Sequence, residues 1–471
     1  MKINKTFLWA IALRTSPALI NFFFFLILAK LMGPAEFGVL ALAQVWLGGF
    51  RILGNSGFSG AVIQARNLTD RQLSSVFFLN LGISLLLVLL CSASVWIFPT
   101  DPSVGDFPQV VSLMSLTLMI SGVALVQEAL AYRGMRLRFL AQRDLISALV
   151  GGAVGIALAL HGWGVWALVM QALVSSLVGV ILLWHGANWL PKWREFSLAD
   201  VKPLLKFSLW MLAFQLFAYL ARESDKTMIG FMVGITALGI YTLANKFILL
   251  PSMIFADALN SYLFPKLSSL QTNPDDMSRV YAGSVYLTMS IVPPSIFALG
   301  IVIYLYGVPA FGPQWEGVDK AVPYVAIIAA CQSYISPAGS VLKALGRVSL
   351  LFKWAVFVFC LMVIGVLGGV AFGIEGIMAG LVCANLICTI AVSLLLHQLI
   401  GKTSMMKQVV HFYAIIGFGL GLAAVTINSI ASLGVQNFAI SAVVTFASAL
   451  FYFSTVFLVL RKRIGHYLKL N

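Results

Sequence analysis

A chain of 471 residues with 61% hydrophobic residues, 10% charged residues and a mean hydropathy of +0.98 is too apolar for a soluble domain, where about half of the residues are apolar. Its formal charge of +14 invites a nucleic-acid reading, but that requires basic residues gathered on one solvated surface. They are instead distributed by topology, which excludes the need for such a partner.

Polar and Gly/Pro-rich breaks divide the chain into fourteen apolar segments close to the ~20 residues that span a ~30 Å hydrocarbon core. They are Phe7 to Lys30, Phe37 to Ile63, Ser74 to Phe98, Val110 to Tyr132, Asp144 to His161, Gly164 to Trp184, Leu204 to Met232, Ala237 to Phe264, Tyr281 to Gly307, Ala321 to Lys343, Leu350 to Phe372, Gly376 to Leu399, Val410 to Ala431 and Phe438 to Leu460. The first has a basic start but exceeds a signal-peptide core and lacks a small-residue cleavage site, so it reads as a retained helix. The prediction is an all-α integral membrane protein. With the N-terminus on side one, twenty-three Lys and Arg fall in connections on that side, Arg143 among them. Only Lys30 and Lys320 fall on the other, so the positive-inside rule puts both termini in the cytoplasm.

An internal repeat runs through the segments. At an offset of 201, "LMGPAEFGVLALAQ" (Leu31 to Gln44) aligns with "MVGITALGIYTLAN" (Met232 to Asn245), pairing Gly33 with Gly234 and Gly38 with Gly239. At an offset of 212, "YRGMRLRFL" from Tyr132 aligns with "ALGRVSLLF" from Ala344, and "GVWALV" from Gly164 with "GIMAGL" from Gly376. Six helices per copy is an even number, so both copies enter from the same side, as a parallel repeat. The reading is an N-terminal six-helix lobe over 1–185, a cytoplasmic interlobe linker over 186–203, a C-terminal six-helix lobe over 204–400, and an extra helix pair with a basic tail over 401–471.

Charges inside the spans stand out. A charge at helix centre costs about 2.5 to 3.5 kcal/mol, so such residues face a bundle interior or an aqueous cavity. The basic ones are Arg14, Arg51, Arg222, Lys226 and Lys246, from the first two helices of each copy, which duplication places around a shared cleft. The acidic ones, Glu128, Glu223, Asp225 and Asp257, are read as charge-pairing or coupling residues, Glu128 and Asp257 lying nearer the cytoplasmic ends. Arg222, Asp225 and Lys226 share a helix face at i, i+3 and i+4, so Asp225 is expected to neutralise both cations. The basic set suits a large anionic headgroup, especially a pyrophosphate, because Arg forks onto phosphate oxygens. A fold-stabilising pair is the alternative for Arg222 and Asp225.

Other features carry less. Cys91, Cys331, Cys360, Cys383 and Cys388 lie in apolar segments and lack the spacing of a disulfide framework or zinc site. The histidines are scattered at segment ends, and no metal site is expected. Gly151, Gly152 and Gly155 permit close helix packing without the context of a phosphate-binding loop.

The pair "ARESDKTMIGFMVGITALGIYTLANKFILLP" and "LAKLMGPAEFGVLALAQ", with "GVWALV" and "LKALGR", resembles the polysaccharide transporter branch of the MOP flippase superfamily. It looks most like exporters of lipid-linked O-antigen or exopolysaccharide repeat units of the colanic-acid type. The resemblance implies two six-helix lobes around a V-shaped cleft, alternating access, and an undecaprenyl-diphosphate-linked oligosaccharide as substrate. It maps Arg14, Arg51 and Arg222 as headgroup contacts. Fourteen helices exceed the twelve often described for this branch, and the last pair either cradles the lipid tail or packs outside. The resulting expectation is a transporter of the bacterial inner membrane with no cofactor, driven by an H+ or Na+ gradient or the membrane potential. Membrane lipids, polymerase and other polysaccharide assembly proteins are the expected partners. The alternatives are a multidrug or metabolite antiporter on the same fold, which would favour an acidic or aromatic cavity, and a membrane glycan polymerase or ligase, which would carry a larger outer loop.

Overall fold

In a computed structural model, residues 19–54, 62, 69–97, 105–187, 189–197, 202–271, 273–400, 405–432 and 438–467 are described. All the regular structure among them is helical. Contact clustering gives two compact units, Met1–Gly239 and Ile240–Asn471. This division by packing falls after the seventh predicted span, whereas the division by repeat falls before it.

Unit one holds α1 (Leu19–Leu31), α2 (Pro34–Gly54), α3 (Asp70–Ile97), α4 (Phe107–Met114), α5 (Leu116–Arg133), α6 (Leu137–Leu160), α7 (Val165–His185) and α8 (Lys202–Met232). The unit boundary falls within α9 (Ile235–Ile248). The rest of unit two comprises α10 (Leu250–Ser268), α11 (Pro274–Phe311), α12 (Val318–Ala344), α13 (Val348–Gly369), α14 (Gly373–Ile400), α15 (Met405–Ser432) and α16 (Phe438–Tyr467). Against the fourteen spans expected, ten stretches among the described residues meet both the length and the hydropathy of a membrane span, and one of these, Ser349–Ile400, contains both α13 and α14.

Several boundaries differ from the sequence reading: the second span ends at Gly54 rather than Ile63, the eighth is broken into α9 and α10, and two further shifts bear on the charged residues and the helix lengths. The fifth span starts at Leu137 rather than Asp144, because a hydropathy cut discards polar turns that still carry buried Leu140 and Ala141. Arg143 thereby moves from the cytoplasmic connection into the helix. The ninth span extends to 38 residues, on the order of 57 Å at the helical rise and longer than the hydrocarbon core. Its start is fixed by the Asn273 side chain, which accepts from the Asp276 amide at 3.2 Å, with Pro at the first helical position.

The interlobe segment is anchored to α3. Phe77 packs edge-on to Trp184 and Trp189, and Phe78 to Trp193. The Gln127 amide donates to the Trp189 carbonyl at 2.7 Å. In unit two, α12 is the most enclosed of the candidate spans among the described residues, and the Tyr334 and Ser393 hydroxyls bond at 2.7 Å between α12 and α14. The α13–α14 hairpin closes backbone to backbone, Gly365 against Gly380 and Gly369 against Gly376. Both helices carry the small-xxx-small spacing that permits this approach.

The glycines that define the repeat meet each other's copies. A methyl on Gly38 would overlap the Ile235 carbonyl, and one on Gly239 would overlap the Pro34 carbonyl. Adding 201 to 34 and 38 gives 235 and 239, so the contact is reciprocal under the repeat offset. Each glycine is required for a helix start to lie directly on its counterpart. Gly239→Ala is therefore expected to lower stability by about 1–3 kcal/mol through overpacking. Gly339→Ala, where an added methyl meets nothing within 4 Å, should be neutral or gain up to about 1 kcal/mol of helix propensity. Thermal unfolding in detergent compares the two.

Candidate functional site

The antiparallel approach of α2 and α8 continues from the glycine contact into the membrane-spanning region. Leu42 packs against Gly230, and further along the Tyr219 hydroxyl fills the space where Gly48 has no side chain. That hydroxyl donates to the Val45 carbonyl at 2.9 Å. Arg51 follows Gly48 by one turn and Arg222 follows Tyr219 by one turn. Because the helices run in opposite directions, the two cations lie on opposite sides of the tyrosine, and both exert their charge on its hydroxyl. The Arg222 guanidinium lies 5.5 Å from the Tyr219 ring centroid, within cation–π range.

Charge pairing in this cluster runs through Glu223. Its carboxylate accepts from Arg222 Nε at 3.1 Å and from Lys226 Nζ at 2.6 Å. The acid that bridges the two cations is thus Glu223, not Asp225 as expected. The longer glutamate reaches both neighbours on the helix, while the short Asp225 side chain accepts from the adjacent Lys226 amide at 2.8 Å. Pairing leaves the cations unequal: the Lys226 side chain is 27% exposed but that of Arg222 is 70%. Arg51 is also exposed, and among the described residues it has no carboxylate partner. In membrane-spanning helices, exposed guanidinium groups require water or a polar ligand rather than hydrocarbon. What α2 and α8 present is therefore two exposed guanidinium groups about a tyrosine, with a third cation already neutralised.

The remaining predicted residues lie elsewhere. Arg14 falls outside the described residues. Lys246, exposed on α9, belongs to unit two, as does Asp257 on α10, whose side chain is outside the described residues. Glu128, within unit one, joins Arg143 and Asp144 instead, with Arg143 Nη2 at 3.5 Å from Glu128 Oε1 and 2.6 Å from Asp144 Oδ1. Tyr219 and Arg143 were missed by sequence reasoning. Tyr219 pairs with Gly48 across 171 positions and has no local signature. Arg143 was visible as an Arg-Asp pair at the edge of an apolar run.

Comparison with known proteins adds a family and a fold. A family described as "Polysaccharide biosynthesis protein" matches residues 27–323. The chain is 26% identical over 370 residues to the succinoglycan biosynthesis transport protein ExoT of Rhizobium meliloti (strain 1021), covering 78% of this chain and 73% of that one. It is 25% identical over 380 residues to the lipopolysaccharide biosynthesis protein WzxC of Escherichia coli (strain K12), covering 77% and 74%. Among solved structures, lipid II flippase MurJ in an inward closed conformation aligns with a TM-score of 0.70 at 14% identity, over 96% of this chain and 99% of that one. An inward-facing MATE family multidrug resistance transporter of the MOP superfamily aligns at 0.61 with 15% identity, over 84% and 99%. The all-α, MOP-type fold expected from the sequence is the fold observed.

The charge network makes its own prediction. Glu223→Gln removes the counter-charge from the partly buried Lys226 and from Arg222 together, whereas Arg222→Gln removes one exposed group. Thermal unfolding of the two variants should show the larger loss of stability for Glu223→Gln, because stranding a buried charge costs more than losing an exposed pair.

Proposed function

The chain belongs to the polysaccharide biosynthesis protein family, and from that premise we propose that it is a flippase for a polyprenyl-diphosphate-linked oligosaccharide, carrying the repeat unit from the inner to the outer leaflet of the bacterial cytoplasmic membrane. The observation that carries the reading is the exposed pair Arg51, on the candidate membrane span α2, and Arg222, on the adjoining α8. A diphosphate is the natural occupant of such a site: guanidinium groups bind phosphate oxygens through paired, charge-assisted hydrogen bonds. The relatives named as polysaccharide transport and biosynthesis proteins support the substrate class.

On this reading the protein needs no covalent chemistry. Arg51 and Arg222 hold the headgroup. Alternating access then moves the site from one face of the membrane to the other, driven by an ion gradient or the membrane potential. Both termini lie in the cytoplasm, the side that carries the excess of basic connections. Polymerase and other assembly proteins on the outer face take over the delivered repeat unit. A same-fold exporter of organic cations would need an acidic or aromatic site, and the exposed groups here are the opposite sign.

The test is leaflet accessibility of the lipid-linked intermediate in a deletion strain restored with wild-type, Arg51→Ala or Arg222→Ala protein. Each substitution should slow outward transfer by at least about tenfold, the value of one charge-assisted hydrogen bond of about 1.5–3 kcal/mol. Wild-type transfer by both variants sinks the cationic headgroup site. A deletion that blocks glycan polymerisation but leaves leaflet transfer intact points to an enzyme instead.

A further inference from the structure

Unit one presents a basic rim, away from the Arg51–Arg222 pair, formed by the α5–α6 turn and the segment that follows α7. Over residues 132–138 and 185–197 the chain carries five cations, Arg133, Arg136, Arg138, Lys192 and Arg194, against the single carboxylate of Glu195. All five are exposed. Lys192 pairs with Glu195 at 3.2 Å, while Arg136 and Arg194 have no carboxylate partner among the described residues. The two stretches form one surface because Arg136 Nη1 donates to the Gly186 carbonyl at 2.8 Å.

Large apolar side chains stand among these cations. Met135 is 64% exposed, Leu190 67% and Trp193 70%. The segment that carries the last two is tied down: the Lys192 and Ser197 amides donate to the Ser74 and Ser75 hydroxyls of α3 at 3.2 and 2.9 Å. Met135 is held against a backbone preference. Its φ of 51° lies in the left-handed region that favours glycine, and no other non-glycine residue among those described has a positive φ. Gly134, one position earlier, keeps a negative φ, whereas its repeat counterpart Gly346 takes the left-handed conformation itself. Copy one thus puts a methionine in the conformation that copy two gives to glycine. Strain retained at an exposed side chain points to a use for that side chain.

Depth decides what these side chains meet. The 21 residues of α7 span on the order of 32 Å, about the thickness of the hydrocarbon core, so the chain leaves α7 at a membrane boundary. It then folds back. Trp189 is held by Gln127, six residues before the end of α5, and Trp193 by Phe78, eight residues in from the start of α3. These contacts lie about 9 and 12 Å inside the helix ends, so Leu190 and Trp193 are exposed at the level of lipid headgroups. Tryptophan collects at that level, and basic side chains beside it attract anionic lipid. We propose that this rim binds the headgroups of anionic phospholipids, with Met135, Leu190 and Trp193 seated among the upper acyl chains. A soluble acidic protein fits less well, because it would have to enter the headgroup layer to cover Leu190 and Trp193. The inference goes beyond the flippase reading and does not depend on it, since no glycan takes part.

The test is titration of the purified, delipidated full-length protein in neutral detergent with fluorescent phosphatidylglycerol, read by anisotropy, with phosphatidylcholine of the same chains as the zwitterionic counterpart. The wild type should prefer phosphatidylglycerol by at least about tenfold at low salt, and the preference should shrink as salt screens the charges. Lys192→Gln and Arg194→Gln should each weaken phosphatidylglycerol binding by about fivefold, the value of one cation near an anionic surface. Lys320→Gln, at an exposed cation of unit two, should leave it unchanged. Met135→Gly relieves the left-handed strain, so its unfolding midpoint should hold or rise while binding of both lipids falls by at least about threefold through lost apolar contact. That variant keeps the test decisive if a charge variant fails to fold. The proposal is overturned if the wild type binds the two lipids equally, or if folded Arg194→Gln and Met135→Gly proteins bind like wild type. Loss of the preference in Arg222→Gln alone assigns the lipid to the cationic pair and overturns it as well. So does tighter binding of polyglutamate than of phosphatidylglycerol, lost in the same rim variants, which assigns the rim to an acidic protein.

Discussion

The reciprocal glycine contact at the start of α2 and α9 is the constraint from which the cationic site follows. A helix cannot start against another backbone carbonyl if either carries a Cβ, and here Gly38 and Gly239 each remove one. With these ends held together, α2 and α8 run side by side, and the next close contact is Tyr219 against Gly48. That contact fixes the height at which Arg51 and Arg222 emerge. Side-chain identity at four positions therefore sets the spacing of two guanidinium groups, although no hydrogen bond joins them directly.

The same unit handles membrane-embedded charge in two opposite ways. On α8 two acids, Glu223 and Asp225, balance the two cations Arg222 and Lys226, and Arg51 on α2 adds the surplus of positive charge, with Arg222 left accessible. Between α5 and α6 one cation, Arg143, lies between two acids, and the surplus is negative. Neither cluster is self-neutral, which distinguishes both from the closed ion pairs that serve only to hold helices together. Burying an unbalanced charge is unfavourable, and both clusters accordingly have access to water through the partial exposure of Arg222 and of Glu128 and Asp144.

Much of this was legible in the sequence because hydropathy and glycine register are local or periodic signals. The all-helical membrane fold followed from segment length and composition, and the offset of 201 identified the two glycines whose contact proves reciprocal. The charged residues of α8 were also visible, since Arg222, Glu223, Asp225 and Lys226 interrupt an apolar run. Which acid pairs with which cation was not legible. Helical spacing favours Asp225 at i+3, but side-chain length and competition from the Lys226 amide favour Glu223. The Arg143 cluster was lost for a different reason: a hydropathy boundary at Asp144 treats the polar turns of a helix as a loop. Those turns are the part of α6 that carries the cluster.

The two surpluses have opposite signs, and that matters for energetics. On the proposed flippase reading, a diphosphate headgroup passing outward moves negative charge away from a cytoplasm held at negative potential, a change favourable by about 2.3 kcal/mol per charge per 100 mV. Movement of the headgroup requires that the cationic pair favour one conformation of the helices that carry it, because a ligand shifts an equilibrium only by its differential affinity for the two states. The α2–α8 contact joins the cationic pair directly, whereas Glu128, Arg143 and Asp144 ride on the α5–α6 hairpin. The two charge clusters are therefore on separate helix pairs of one compact unit.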